Sequence, residues 1–66
     1  MEYDRVGLDR FDSAILSELA RDGRMSVTDL AVRIGLSKSP TQARLRKLEK
    51  DGVILGYRAM LDPIRL

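Results

Sequence analysis

Two amphipathic helices joined by only about three residues, around Gly35 and Leu36, constrain this chain more than any other feature. The apolar stripe of the first is Val27, Leu30, Ala31 and Ile34; that of the second is Thr41, Leu45 and Leu48. Spacings of three and four residues place each set on one face of a helix. A connection this short forces the two helices into a tight crossing. Both stripes then need a third surface to bury against, and Phe11, Ile15, Leu16 and Leu19 supply one at the same spacing upstream.

The ends of these helices are signalled locally. The first helix is expected to begin at Leu8-Asp9, with Asp9 as its N-cap and Asp12 at the positive end of its dipole. Asp22-Gly23 should close it, with the glycine in the left-handed position past the helix end. Ser26-Val27-Thr28-Asp29 reads as a capping box with aspartate in place of the usual glutamate. Ser37 should cap the third helix, and Pro40 sits in its first turn, where a missing N–H does little harm. That helix runs to Asp51 and stops at Gly52. Leu36 is expected to plug the core between the second and third helices. After Gly52, Val53, Ile54, Leu55, Tyr57, Met60 and Leu61 lack helical spacing and predict an extended segment or strand, ended by Asp62-Pro63. The expected fold is therefore mainly α, three helices with a short C-terminal β-strand.

Composition removes several functional classes. Sixty-six residues make one domain at most, and a chain of that size buries only about 60% of its unfolded surface. There is no cysteine and no histidine, so disulfides, thiolate ligands, the commonest metal ligand and the commonest general acid–base are all missing. No glycine-rich phosphate loop and no convergent carboxylate pair is present, so an enzyme is not expected, nor a cofactor or metal. The longest apolar run, from Gly52 to Tyr57, falls far short of the roughly 20 residues of a membrane span. Met1 to Arg5 is polar and acidic, unlike a signal peptide. A cytoplasmic location without a membrane partner is expected. Two tyrosines and one phenylalanine are too few for the stacking platforms of a single-strand binder.

The net charge of +2 decides nothing, but its distribution is informative. Residues 1–23 carry six acids against three arginines, a balance of −3, and residues 24–66 carry nine bases against four acids, a balance of +5. Such polarity suits a polyanion on one side. On a wheel of about 100° per residue, the third helix turns Thr41, Leu45 and Leu48 inward. Ser39, Ala43, Arg46, Lys47 and Lys50 collect on the opposite side, with Lys38, Gln42 and Arg44 on the flanks. Arginine and lysine match guanine's acceptors, glutamine matches adenine's donor–acceptor pair, and the Ala43 methyl can meet thymine's methyl. A basic face alone equally describes an ordinary solvated helix. The two serine-led helix starts tilt the balance, because free N–H groups there can hold a phosphate. In a helix-turn-helix, the start of the second helix meets the DNA backbone while the third helix meets the bases.

The segments Leu8-Asp9-Arg10-Phe11-Asp12-Ser13-Ala14-Ile15-Leu16, Asp22-Gly23-Arg24-Met25-Ser26 and Leu30-Ala31-Val32-Arg33-Ile34-Gly35-Leu36-Ser37 occur in that order. They continue through Arg44-Leu45-Arg46-Lys47-Leu48-Glu49-Lys50-Asp51-Gly52-Val53-Ile54 to Gly56-Tyr57. In order and spacing, the chain resembles the N-terminal DNA-binding domain of the Lrp/AsnC family, the leucine-responsive or feast/famine transcriptional regulators of bacteria and archaea. The resemblance covers about residues 8–66. It implies a winged helix-turn-helix domain that binds double-stranded DNA, with homodimers or higher oligomers in the full-length protein, in a nucleoid-associated setting.

Carried over by position, Ser37, Ser39, Gln42 and Arg46 would contact base edges. Ser26, Thr28, Lys38, Thr41, Arg44, Lys47 and Lys50 would contact the DNA backbone. The family usually carries proline or a small residue near Lys38, which makes this lysine a possible extra backbone contact. The family's amino-acid-binding α/β domain should follow Asp62-Pro63-Ile64-Arg65-Leu66, so an amino-acid effector is expected only through a domain absent here. The chain is either an excised domain or a stand-alone one. Residues 1–7 then read as a tail, 8–61 as the winged domain and 62–66 as the start of a linker. The alternative is a winged-helix protein–protein interaction module, docking an acidic partner on the basic face or pairing strand 53–61 with another chain's edge.

Overall fold

The computed structural model describes residues 7–66, so all but the last residue of the expected tail lies outside the described residues. Three helices follow one another: α1 (Arg10–Arg21), α2 (Val27–Ile34) and α3 (Lys38–Lys50).

Asp9 starts α1 from an extended backbone. Its Oδ1 accepts the Asp12 N–H at 2.9 Å, and Asp12 Oδ2 accepts the Asp9 N–H at 3.3 Å. The reciprocal capping box thus stands at α1. At α2, where it was expected, Ser26 Oγ accepts the Asp29 N–H at 3.1 Å, and no return bond from Asp29 is present among the described residues. Aspartate is one methylene shorter than the usual glutamate; it reaches only at long range in α1 and not at all in α2.

The end of α1 differs from expectation. Asp22 has φ −146° and ψ 93°, and Gly23 does not adopt a positive φ. Asp22 makes the stop instead. Its N–H donates to the Glu18 carbonyl at 2.9 Å, its carboxylate accepts the Arg24 N–H at 3.1 Å, and its carbonyl accepts the Met25 N–H at 3.3 Å. A side-chain-closed turn of this kind needs no left-handed residue.

Gly35 does take the left-handed position, with φ 80°. The N–H groups of Gly35 and Leu36 both donate to the Ala31 carbonyl at 3.0 Å. Leu36 is only half-buried and is not among the residues packed on the central cluster, so it does not plug the core as expected. Ser37 occupies the N-cap of α3, but its hydroxyl makes no capping bond. Its carbonyl accepts both the Thr41 N–H at 3.3 Å and the Thr41 hydroxyl at 2.9 Å. At the other end Gly52, at φ 77°, lets the chain turn so that the Val53 and Ile54 N–H groups donate to the Leu48 carbonyl at 3.0 and 3.1 Å.

One large apolar side chain from each helix forms the centre: Ile15, Leu30 and Leu48. Leu8, Leu16, Leu19, Met25, Ile34, Leu45, Val53 and Ile54 pack around them. Burying a side chain of this size contributes about 1.5–3 kcal/mol, so these three contacts hold the helices in their mutual crossing.

The expected C-terminal strand is not present among the described residues. Val53 and Ile54 tuck against the core, but Leu55 and Met60 are 96% and 98% exposed. A strand exists only through a neighbour that takes its backbone N–H and C=O groups, and nothing among the described residues pairs with this segment. Past it, Asp62 Oδ1 accepts the Ile64 N–H at 2.9 Å and turns the chain at Pro63.

Candidate nucleic-acid interface

The core sorts the faces of α3. Thr41 and Leu48 are buried, while Ser39, Ala43, Arg46, Lys47 and Lys50 are exposed on the other side. Ala43 leaves a low spot between charged neighbours, which lets another surface come close to the helix. Because Ser37 does not cap with its side chain and Pro40 has no N–H, the Lys38 and Ser39 N–H groups remain open at the positive end of the helix. Ser26 and Thr28, both exposed, stand at the start of α2.

Among the described residues, Lys38, Arg46 and Lys50 have no acidic partner. Lys47 Nζ lies 2.7 Å from Asp51 Oδ2, one turn on, with 73% of the lysine side chain exposed. The hydrogen bond and charge of Asp51 raise the Lys47 pKa, keeping it a cation. A solvent-facing pair of this spacing is among the weakest of ion pairs, so a phosphate can displace Asp51.

Two residues expected at the DNA backbone have their side chains engaged within the domain. Thr41 is completely buried and its hydroxyl donates to the Ser37 carbonyl. It holds the first turn of α3 instead, as befits the inward position its spacing also implied. Arg44 is turned back onto α1. Its Nη1 lies 2.7 and 2.6 Å from the two Asp9 carboxylate oxygens and 3.3 Å from Asp12 Oδ1. Its guanidinium also stands 5.1 Å from the centre of the Phe11 ring, and Arg10 stands at the same distance. Gln42 is half-buried at the flank, and Ser37 is exposed.

Tyr57 was not singled out as functional by the sequence reading. Its hydroxyl donates to Glu49 Oε2 at 2.7 Å. Burial first, and then the Glu49 carboxylate, push its phenol up to about 12. The pair ties the extended segment back to the last turn of α3. No local signal announces it, because neither residue type is unusual at its position.

No group of three or more His, Cys, Asp or Glu residues placed to hold a metal occurs among the described residues. None of their helices is long and apolar enough to cross a membrane.

Comparison with known proteins agrees with this geometry. Residues 8–54 match the winged helix-turn-helix DNA-binding family. The chain is 56% identical over 59 residues to the proline dehydrogenase transcriptional activator of Rhizobium radiobacter, covering 89% of this chain and 38% of that protein. It is 52% identical over 56 residues to the leucine-responsive regulatory protein of Haemophilus influenzae, covering 85% of this chain and 34% of that protein. Among solved structures, an AsnC family transcriptional regulator from Agrobacterium tumefaciens superposes with a TM-score of 0.83 at 45% identity, over 88% of this chain and 38% of that one. The chain thus spans little more than a third of the length of the relatives it matches. It belongs to the winged helix-turn-helix DNA-binding family, in the form carried by Lrp/AsnC transcriptional regulators.

Proposed function

We propose that the chain binds duplex DNA sequence-specifically by laying α3 in the major groove, as the DNA-binding domain of an Lrp/AsnC-type regulator. The carrying observation is the two-sidedness of α3: Thr41 and Leu48 are locked into the core while Ser39, Ala43, Arg46, Lys47 and Lys50 face outward beside an uncapped helix start. Ser37, Ser39, Gln42 and Arg46 are assigned to base edges. Ser26, Thr28, Lys38, Lys47 and Lys50 are assigned to phosphates, with Lys47 leaving Asp51 on binding. Phosphate contacts supply most of the affinity and base contacts the choice of site.

One such domain binds at roughly micromolar strength. Tighter binding comes from two domains on half-sites about one helical turn apart. We therefore assign the full-length protein to a homodimer or larger assembly, with an amino-acid effector acting through a further domain beyond residues 62–66. A cytoplasmic location and the absence of enzyme activity follow from the same assignment.

The test is a comparison of Arg46→Ala and Lys47→Ala on a duplex that the wild-type chain selects from a randomised pool. Arg46→Ala is expected to lose about 1–3 kcal/mol of base discrimination, and Lys47→Ala to weaken all sequences alike and reduce the salt slope by about 1. An unchanged footprint for the first and equal salt slopes for the second would contradict the assignments. Binding that ignores salt altogether would favour a protein-docking module instead.

A further inference from the structure

Arg44 sits in the middle of the helix assigned to DNA, yet its charge is used inside the domain. All three of its carboxylate contacts run to the start of α1, across 32 and 35 residues of sequence. Among the described residues these are the only side-chain hydrogen bonds joining the α1 end to α3. Asp9 and Asp12 are themselves fixed, since each carboxylate also closes the capping box through the other's N–H. The guanidinium is further held beside the Phe11 ring, and the side chain is 32% exposed, against 73% for Lys47. A phosphate approaching Arg44 would meet two carboxylates with it, which removes the electrostatic gain of the contact.

We propose that Arg44 is a positioning residue rather than a DNA contact: clamped by Asp9 and Asp12, it sets the angle at which α3 presents its outward face. This rests on the DNA-binding assignment above. A helix held at one end by the turn after α2 and at its middle by Arg44 has a fixed direction. Without the clamp α3 stays packed through Leu48 and Thr41 but is free to rock about that contact. Base-edge hydrogen bonds are short and directional, so rocking weakens them more than it weakens phosphate attraction.

The sign of the effect of Asp9→Asn separates positioning from contact. Asparagine is as good an N-cap as aspartate, so the start of α1 is preserved while the charge that grips Arg44 is removed. If Arg44 were a phosphate contact restrained by Asp9, this substitution would free it, delete a negative charge and strengthen binding. If Arg44 positions α3, binding to the selected duplex weakens despite the deleted negative charge, by roughly threefold to fivefold, the scale of a part-exposed ion pair.

The experiment measures binding of the wild-type chain, Asp9→Asn, Arg44→Gln and the charge-conserving double variant to two probes. One is the duplex selected by the wild-type chain and the other is poly(dI-dC), each at several salt concentrations, with folding verified by circular dichroism. The expected result is that all three variants lose affinity for the selected duplex, while Asp9→Asn binds poly(dI-dC) at least as well as the wild type does. The double variant should be no worse than Arg44→Gln, and Arg44→Gln should retain the wild-type salt slope. Stronger binding by Asp9→Asn, or a salt slope lowered by about 1 in Arg44→Gln, would overturn the proposal while leaving the DNA assignment intact. Failure of the wild-type chain to select any duplex would instead overturn the DNA assignment itself. Loss of fold in Arg44→Gln would leave the sign of the Asp9→Asn effect to decide.

Discussion

Individual residues show how one side chain can be claimed by two tasks. Asp9 caps α1 and grips Arg44, and its carboxyl is held below the ordinary range, first by the Arg44 hydrogen bond and then by the Asp12 N–H. The fold therefore favours its ionised form. The resulting stability is present above the ordinary carboxylate pKa and is lost as pH falls through the lowered value. Denaturant melts at a series of acidic pH values should show a shallower pH dependence in Asp9→Asn than in the wild type; identical slopes would contradict the Asp9–Arg44 linkage. Tyr57 carries the opposite sign. Its phenol is raised to about 12, so its contribution is complete below about 10 and disappears as pH rises through the folded value. Phenolate absorbance should place the Tyr57 midpoint near 12, and Glu49→Gln should lower it by removing the carboxylate's charge. An unmoved midpoint in that variant would contradict a contribution from the Glu49 charge.

The helical elements were readable from sequence wherever their causes are local. The starts at Asp9, Ser26 and Ser37, the stops at Gly35 and Gly52, and the inward positions of Ile15, Leu30 and Leu48 all follow from spacing and caps within a few residues. What failed depends on geometry that spacing does not contain. Gly23 looked like a left-handed stop, but Asp22 closed the turn with its own carboxylate. Residues 53–61 have strand-forming side chains, yet pairing is a property of two segments and only one is present among the described residues. The diversion of Arg44 onto Asp9 spans 35 residues and was invisible to a helical wheel, which ranks it as a flank position. Ser37 was assigned a capping bond that its hydroxyl does not make. The difference between the serines is measurable. Ser26→Ala should cost about 1 kcal/mol through the lost Asp29 bond, whereas Ser37→Ala should change stability by no more than a few tenths of a kcal/mol while weakening DNA binding. Equal losses of stability in the two variants, measured by chemical denaturation, would contradict the capping geometry.

For the molecule as a whole, charge and packing divide along the same line. The first 23 residues hold a surplus of acids and the remainder a surplus of bases. Arg44, on α3, is paired with acids at the start of α1, which leaves Lys38, Arg46, Lys47 and Lys50 as the cations that α3 presents to solvent. The candidate site was legible to the extent that an outward cationic face follows from inward apolar spacing; it was not legible where a cation is taken up by a distant carboxylate.

The most direct test of this arrangement is an NMR titration of the isotope-labelled chain with the selected duplex in low-salt buffer. Amide shifts should concentrate on residues 37–50 and the start of α2, leaving the interior of α1 near its free positions. If the amides of α3 stay where they are while duplex is added, the helix is not the reading element and the central claim fails.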